Sequence, residues 1–144
     1  MKVLLTVDIG GTAIKAGIVD MEGKVLYKHE TPSNINDYET PLIEVAKSAA
    51  SVTYEYAGAQ GWDIRGIGVS AAGQINSKTG QVIGACGNIP NWIGVNIKKE
   101  FEEKFKLNTH VENDANCAAL AEKWMGAGRE FDDFVAYTIG TGIG

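Results

Sequence analysis

The first 32 residues contain three apolar, β-branched runs whose separating turns are too short for anything but hairpins. VLLTVDIGG (residues 3–11) ends on a Gly-Gly turn, AIKAGIVD (13–20) on Met21-Glu22-Gly23, and KVLYKHETP (24–32) on a proline. Such spacing predicts an antiparallel three-strand meander. From there the period changes. Leu42, Val45, Ala46, Ala49, Val52, Thr53 and Tyr56 recur every three to four positions. They mark a long helix for which Thr40 suits the N-cap and Pro41 the first turn, with Gly58 or Gly61 at its end. IRGIGVSAAG (64–73) reads as a buried strand, residues 74–94 as a turn-rich loop, and Asn96 as the cap of a second helix burying Ile97, Phe101 and Phe105. NTHVEN (108–113) is a short strand. DANCAALAEKWMGAG (114–128) is a third helix ending near Gly126 or Gly128, and DDFVAYTIG (132–140) is one more strand. Three antiparallel strands followed by alternating helices and strands are the element order of a ribonuclease H-like α/β domain: a mixed sheet with flanking helices. Topology alone licenses no function.

Two stretches share one design. LLTVDIGGTAI (4–14) and VAYTIGTGIG (135–144) each run an apolar strand into Ile-Gly and a tight Gly/Thr turn. The chain begins to repeat itself near its end. Residues 1–113 are therefore expected to form a first domain, and residues 114–144 a connecting helix and the opening strand and turn of a second. A glycine-rich ending of this kind predicts that residues 141–144 fray, and that the chain is a truncated part of a longer protein.

Bulk properties exclude several classes. Net charge is -5, with 13 basic and 18 acidic residues, which argues against nucleic acid as a partner. Lys98, Lys99, Lys104 and Lys106 alternate with Glu100, Glu102 and Glu103, the pattern of a solvated helix face. Cys86 and Cys117 stand far apart without a histidine pair, whereas a zinc site needs about four suitably spaced ligands. They read as two buried thiols in a reducing compartment. No segment approaches the ~20 apolar residues of a membrane helix, and the amino-terminal apolar run is cut short by Asp8, unlike a signal peptide. A cytoplasmic location is expected.

Three segments can carry chemistry. In DIGGT, Gly10 and Gly11 lack the Cβ atoms that would keep a backbone away from phosphate. Their N–H groups and that of Thr12 can face an anion. Asp8 fits beside phosphate if it holds hydrated Mg²⁺. The competing reading is an ordinary Gly-Gly hairpin. In VENDANCAALAE (111–122), Asn113 and Asp114 stand where a strand becomes a helix. Either can simply be an N-cap; alternatively Asp114 accepts a proton from a hydroxyl attacking phosphorus, and Asn113 holds a neighbouring hydroxyl. In residues 70–92, small residues follow a strand, and Gln74, Asn88 and Asn91 offer the paired donors and acceptors that sugar hydroxyls require. Trp92 reads as a packing anchor or a stacking platform. His29 and His110 have no evident partner and receive no role.

DIGGT, NIPNW, VENDANCAALAE and IGTGIG, in this order and spacing across the chain, resemble the ROK family (repressors, open reading frames, kinases), whose kinases phosphorylate hexoses with ATP on an actin-like ATPase fold. The resemblance implies an ATP-dependent sugar kinase using Mg²⁺, with Asp114 as catalytic base. It places Asp8, Gly10, Gly11 and Thr12 in the first phosphate motif, with Mg²⁺ held by Asp8 through water. Gly140, Thr141 and Gly142 match the start of the second phosphate motif, and Ala72, Gly73, Asn88 and Asn113 line the sugar pocket. A structural zinc is expected only in a C-terminal part that this sequence lacks, and a homodimer of the full-length protein is left open. Many members carry Pro-Gly where Ala72-Gly73 stands, glycine where Asn91 stands and lysine where Ala13 stands, so the sugar is not named. The alternatives are a sugar-responsive regulator lacking its DNA-binding domain and a stand-alone sugar-binding module. DIGGT begins at residue 8, which leaves no space for a preceding helix-turn-helix. The 144-residue chain alone is expected not to turn over, because one side of a cleft cannot close on substrate.

Overall fold

A computed structural model of the chain describes residues 1–84, 89–140 and 143. Strands β1 (Lys2–Ile9), β2 (Ala13–Asp20) and β3 (Val25–Pro32) form the expected meander, followed by helix α1 (Leu42–Ala59) and strand β4 (Asp63–Ala71). A small hairpin, β5 (Gln74–Asn76) with β6 (Gln81–Gly84), precedes helix α2 (Ile97–Phe105), strand β7 (Thr109–Asn113) and helix α3 (Asp114–Met125). The main sheet has the order β3-β2-β1-β4-β7. β1 pairs antiparallel with β2 and parallel with β4, and β4 pairs parallel with β7. This is the mixed α/β arrangement that the element order predicted.

The sheet separates its residues by parity. Val3, Leu5, Val7 and Ile9 of β1 are buried, as are Ile14, Ala16 and Ile18 of β2 and Ile67, Val69 and Ala71 of β4. They form one core with Leu42, Val45, Ala46, Ala49 and Ala50 of α1 and with Phe101 and Phe105 of α2. Lys47 joins the two helices, with its Nζ 2.7 Å from both Glu44 and Glu100. The alternate residues Thr6, Asp8, Gly68, Ser70, His110 and Glu112 fall on the other face, beside α3.

The structure revises several local expectations. Helix α1 starts one residue late: Pro41 (φ -55, ψ 140) is the N-cap, without a side-chain hydrogen bond. Thr40 instead satisfies Asn36, whose side-chain amide and carbonyl bond the Thr40 hydroxyl and N–H. Gly58 stays helical, and the chain turns away at Gly61 (φ 67). Asn96 caps α2 as expected, accepting from the Lys99 N–H at 2.9 Å. The loop expected over residues 74–94 contains the β5–β6 hairpin, because Ile75 and Val82 pair across it and Val82 is buried. The strand expected over residues 132–140 is not formed. Only an isolated Ile139–Ile143 bridge occurs, since no neighbouring strand among the described residues offers hydrogen bonds. Cys117 is half-buried rather than buried. Cys86, and the fraying expected of residues 141, 142 and 144, lie outside the described residues.

Candidate active site

The registers of β1, β4 and β7 align the candidate residues at the carboxyl ends of three parallel strands. Asp8 is level with Ser70, and Ser70 with Glu112; one step on, Ile9, Ala71 and Asn113 are level. With neighbouring strands spaced about 5 Å apart, β1 and β7 are roughly 10 Å apart across β4. Open α/β sheets bind ligands in the crevice at this end.

On the β1 side, Asp8 accepts a hydrogen bond from the Ser70 hydroxyl at 2.8 Å. The turn after it closes through Gly10 N–H to Ala13 carbonyl at 3.1 Å. Gly11 and Thr12 are exposed. Among the described residues, a Cβ built on Gly11 meets only Ile89 Cδ1, at 3.9 Å, so none of them closes this part of the backbone to a ligand. Lys15 is opposite Asp8 in the β1–β2 ladder. By alternation it faces the same side of the sheet as residue 13.

On the β7 side, Asn113 caps α3, its side-chain oxygen accepting from Asn116 N–H at 3.2 Å. Its amide also donates to the Gly73 carbonyl at 2.7 Å and to Asp114 Oδ1 at 3.0 Å. The capping reading is therefore correct for Asn113. It does not consume Asp114, which is exposed and accepts only one further hydrogen bond among the described residues, from Ala115 N–H. The Asn113–Gly73 bond ties the end of β4 to the end of β7. Ala72 is fixed from both sides, its N–H to the Ile9 carbonyl and its own carbonyl to Trp92 Nε1, each at 3.0 Å. Trp92 is 1% exposed and is a packing anchor, with no face left for stacking.

Of the residues singled out from sequence, Asp8, Gly10, Gly11, Thr12, Ala72, Gly73, Asn113 and Asp114 thus gather at one end of the sheet. Gly140 lies in an exposed segment and shares no hydrogen bond with them among the described residues. Asn88, Thr141 and Gly142 lie outside the described residues. Sequence reading missed Ser70, Glu112 and Cys117. Glu112 accepts from Asn113 N–H at 2.7 Å and Asn116 Nδ2 at 3.0 Å, bracing the cap. Strand parity was the signal that could have found Ser70 and Glu112, since each follows Asp8 across a parallel register. Burial pushes the Cys117 thiol above the usual range. A hydrogen bond with Ser70 opposes that shift, and the carboxylates of Glu112, Asp8 and Asp114 reinforce it. A concavity of about 820 Å³ extends over this face, with Asp8, Ser70, Glu112, Cys117 and Leu120 in its lining.

No group of three or more metal-ligating side chains occurs among the described residues. Mg²⁺ beside phosphates needs only one or two carboxylates. Asp8, with one oxygen engaged by Ser70 and an open glycine turn next to it, fits that requirement.

A model of the ROK family matches residues 4–144. A β-glucoside kinase of Listeria monocytogenes is 42% identical over 137 residues, covering 95% of this chain and 43% of that protein. A glucokinase of Thermotoga maritima is 34% identical over 142 residues, covering 98% and 43%. Among solved structures, a ROK family glucokinase from Streptomyces griseus in complex with glucose and AMPPNP superposes with a TM-score of 0.82 at 33% identity, over 99% of this chain and 43% of that one. The chain spans less than half the length of these relatives.

Proposed function

The chain belongs to the ROK family, and from that premise we propose that it is the N-terminal part of an ATP-dependent sugar kinase. The observation that carries the reading is the placement of Asn113-Asp114 and of the Asp8–Thr12 turn at the same end of the sheet, with only β4 between them. The Gly11 and Thr12 N–H groups receive phosphate oxygens. Asp8 would hold hydrated Mg²⁺, which would supply neutralisation of the phosphate charge. Ala72, Gly73, Asn88 and Asn113 line the sugar pocket, and Asp114 orients the attacking hydroxyl and takes its proton. An ordinary carboxylate is a weak base, but a loose phosphoryl transfer asks mainly for positioning and late proton acceptance. Residues 1–113 form the first domain in this reading, and residues 114–144 lead into a second that carries Gly140, Thr141 and Gly142 to the nucleotide. The relatives' names favour glucose and β-glucosides as the first sugars to try. No helix among the described residues is long and apolar enough to cross a membrane; a cytoplasmic location is part of the proposal.

The test is ADP release by the full-length protein against a panel of hexoses and β-glucosides. Asp114→Asn is expected to lower kcat by about a thousand-fold while leaving sugar Kd, measured calorimetrically, within a few-fold. A mutant with near-normal kcat removes the base assignment, and a parent protein that phosphorylates no sugar removes the kinase reading.

A further inference from the structure

We infer that residues 33–38 form a strap that aims the phosphate-binding N–H groups, and that the Tyr38 hydroxyl is a positioning group for the nucleotide. The inference rests on the reading of residues 8–12 as a phosphate loop. Three successive carbonyls of that turn are held from the same segment and its approach. Ser33 Oγ–H donates to the Gly10 carbonyl at 2.5 Å, Tyr38 O–H to the Gly11 carbonyl at 3.2 Å, and Ser33 N–H takes the Thr12 carbonyl at 3.0 Å. In a planar trans peptide the N–H points opposite to the carbonyl that precedes it. Fixing the Gly10 carbonyl toward Ser33 therefore turns the Gly11 N–H away from the strap. Fixing the Gly11 carbonyl toward Tyr38 does the same for the Thr12 N–H. Among the described residues, neither N–H has an acceptor, and only Ile89 Cδ1 comes near a Cβ built on Gly11, at 3.9 Å. Consecutive N–H groups turned into open space make an anion-binding concavity.

The strap itself is unusual. Asp37 (φ 53) and Tyr38 (φ 61) are consecutive non-glycine residues in the left-handed region, a conformation that persists only where its surroundings over-determine it. Here Asn34 Oδ1 accepts Tyr38 N–H at 3.1 Å, Asn36 Oδ1 accepts Thr40 N–H at 3.0 Å, and the Asn36 carbonyl accepts Glu39 N–H at 3.1 Å. These asparagines hold the turn in the shape that brings the Tyr38 ring back to Gly11. Ser33 is fully buried and is the fixed anchor. Tyr38 is partly exposed, so its hydroxyl can be removed with little effect on packing.

The experiment compares Tyr38→Phe with the parent in the full-length protein. ATP KM in the coupled assay and Kd for AMPPNP by calorimetry are each expected to rise about two- to ten-fold, the range for loss of one hydrogen bond. Sugar KM and thermal midpoint should be unchanged. Ser33→Thr, which keeps the hydroxyl, is expected to bind AMPPNP more tightly than Ser33→Ala. Unchanged AMPPNP affinity in Tyr38→Phe overturns the inference, as does a parallel rise in sugar KM with a lowered thermal midpoint, which would mark Tyr38 as merely structural. A parent that binds AMPPNP yet phosphorylates no sugar removes the kinase reading while the Kd comparison still decides the strap. A parent that does not bind AMPPNP overturns both.

Discussion

Strand β1 reaches its glycines with a hydrogen-bonded neighbour on each side, β2 and β4. Residues 135–139 approach theirs with no such neighbour among the described residues, and only the Ile139–Ile143 bridge marks the turn. The two stretches share a sequence design but differ in environment. Leu5 is fully buried against the helix layer, whereas Val135 is 75% and Ile139 83% exposed. An apolar run with a glycine turn therefore proposes a strand, and pairing and burial make it one. The Gly10-Gly11 turn has in addition the Ser33 and Tyr38 ties, of which Ile139 and Gly140 show no counterpart among the described residues.

The sharpest way to test this contrast is to truncate one apolar side chain in each stretch and follow urea unfolding. Leu5→Ala leaves a cavity between β1 and α1 and is expected to cost about 2–5 kcal/mol. Val135→Ala is expected to change stability by no more than about 0.5 kcal/mol. Comparable losses would mean that residues 135–139 pack in solution. The glycines give a smaller contrast. A Cβ on Gly10 comes within 3.0 Å of the Ala13 carbonyl oxygen, whereas among the described residues one on Gly140 meets nothing within 4 Å. Gly10→Ala should cost about 1–2 kcal/mol and Gly140→Ala close to none, read from the same unfolding curves.

The smallest effect concerns the layer beneath β1. Burial pulls the Lys47 pKa down, but the hydrogen bonds to Glu100 and Glu44, together with the charges of both carboxylates, outweigh this and leave it above its ordinary 10.5. A raised folded pKa means that the pair's contribution is complete below the unfolded value and fades as pH rises through the folded one. Lys47→Met should therefore be less stable than the parent by about 1 kcal/mol at neutral pH, with the gap closing as pH rises past 10.5 and through the raised folded value. A gap that persists there would assign the effect to packing.

The same contrast explains what could be read in advance. The meander, α1, α2 and the Asn113-Asp114 junction each rest on local pattern: period two with tight turns, period three to four with a cap, or a strand abutting a helix. Four motifs sufficed to gather Asp8, Gly10, Gly11, Thr12, Asn113 and Asp114, because parallel strands bring their carboxyl ends together without further instruction. Ser33 and Tyr38 stayed hidden because their partners are backbone carbonyls of Gly10 and Gly11, which no residue identity advertises. Ser70 and Glu112 were visible only through strand register, a long-range property. The expected strand at residues 132–140 failed for the converse reason: its local pattern was complete, but it had no neighbour among the described residues.

The place of β1 in the sheet has a consequence for biosynthesis. It is made before every other strand of its sheet, yet it occupies the middle of the order β3-β2-β1-β4-β7. Its β2 side can be closed by a local hairpin as soon as Ala13–Asp20 is made, whereas its other side waits for Asp63–Ala71. Parallel pairing across that separation is slow compared with a hairpin. At ~5–20 residues per second, the nascent meander presents the bare edge of its most apolar strand for several seconds. During that interval the α1 segment, which is made before β4, can cover the apolar face of the meander but cannot pair its edge.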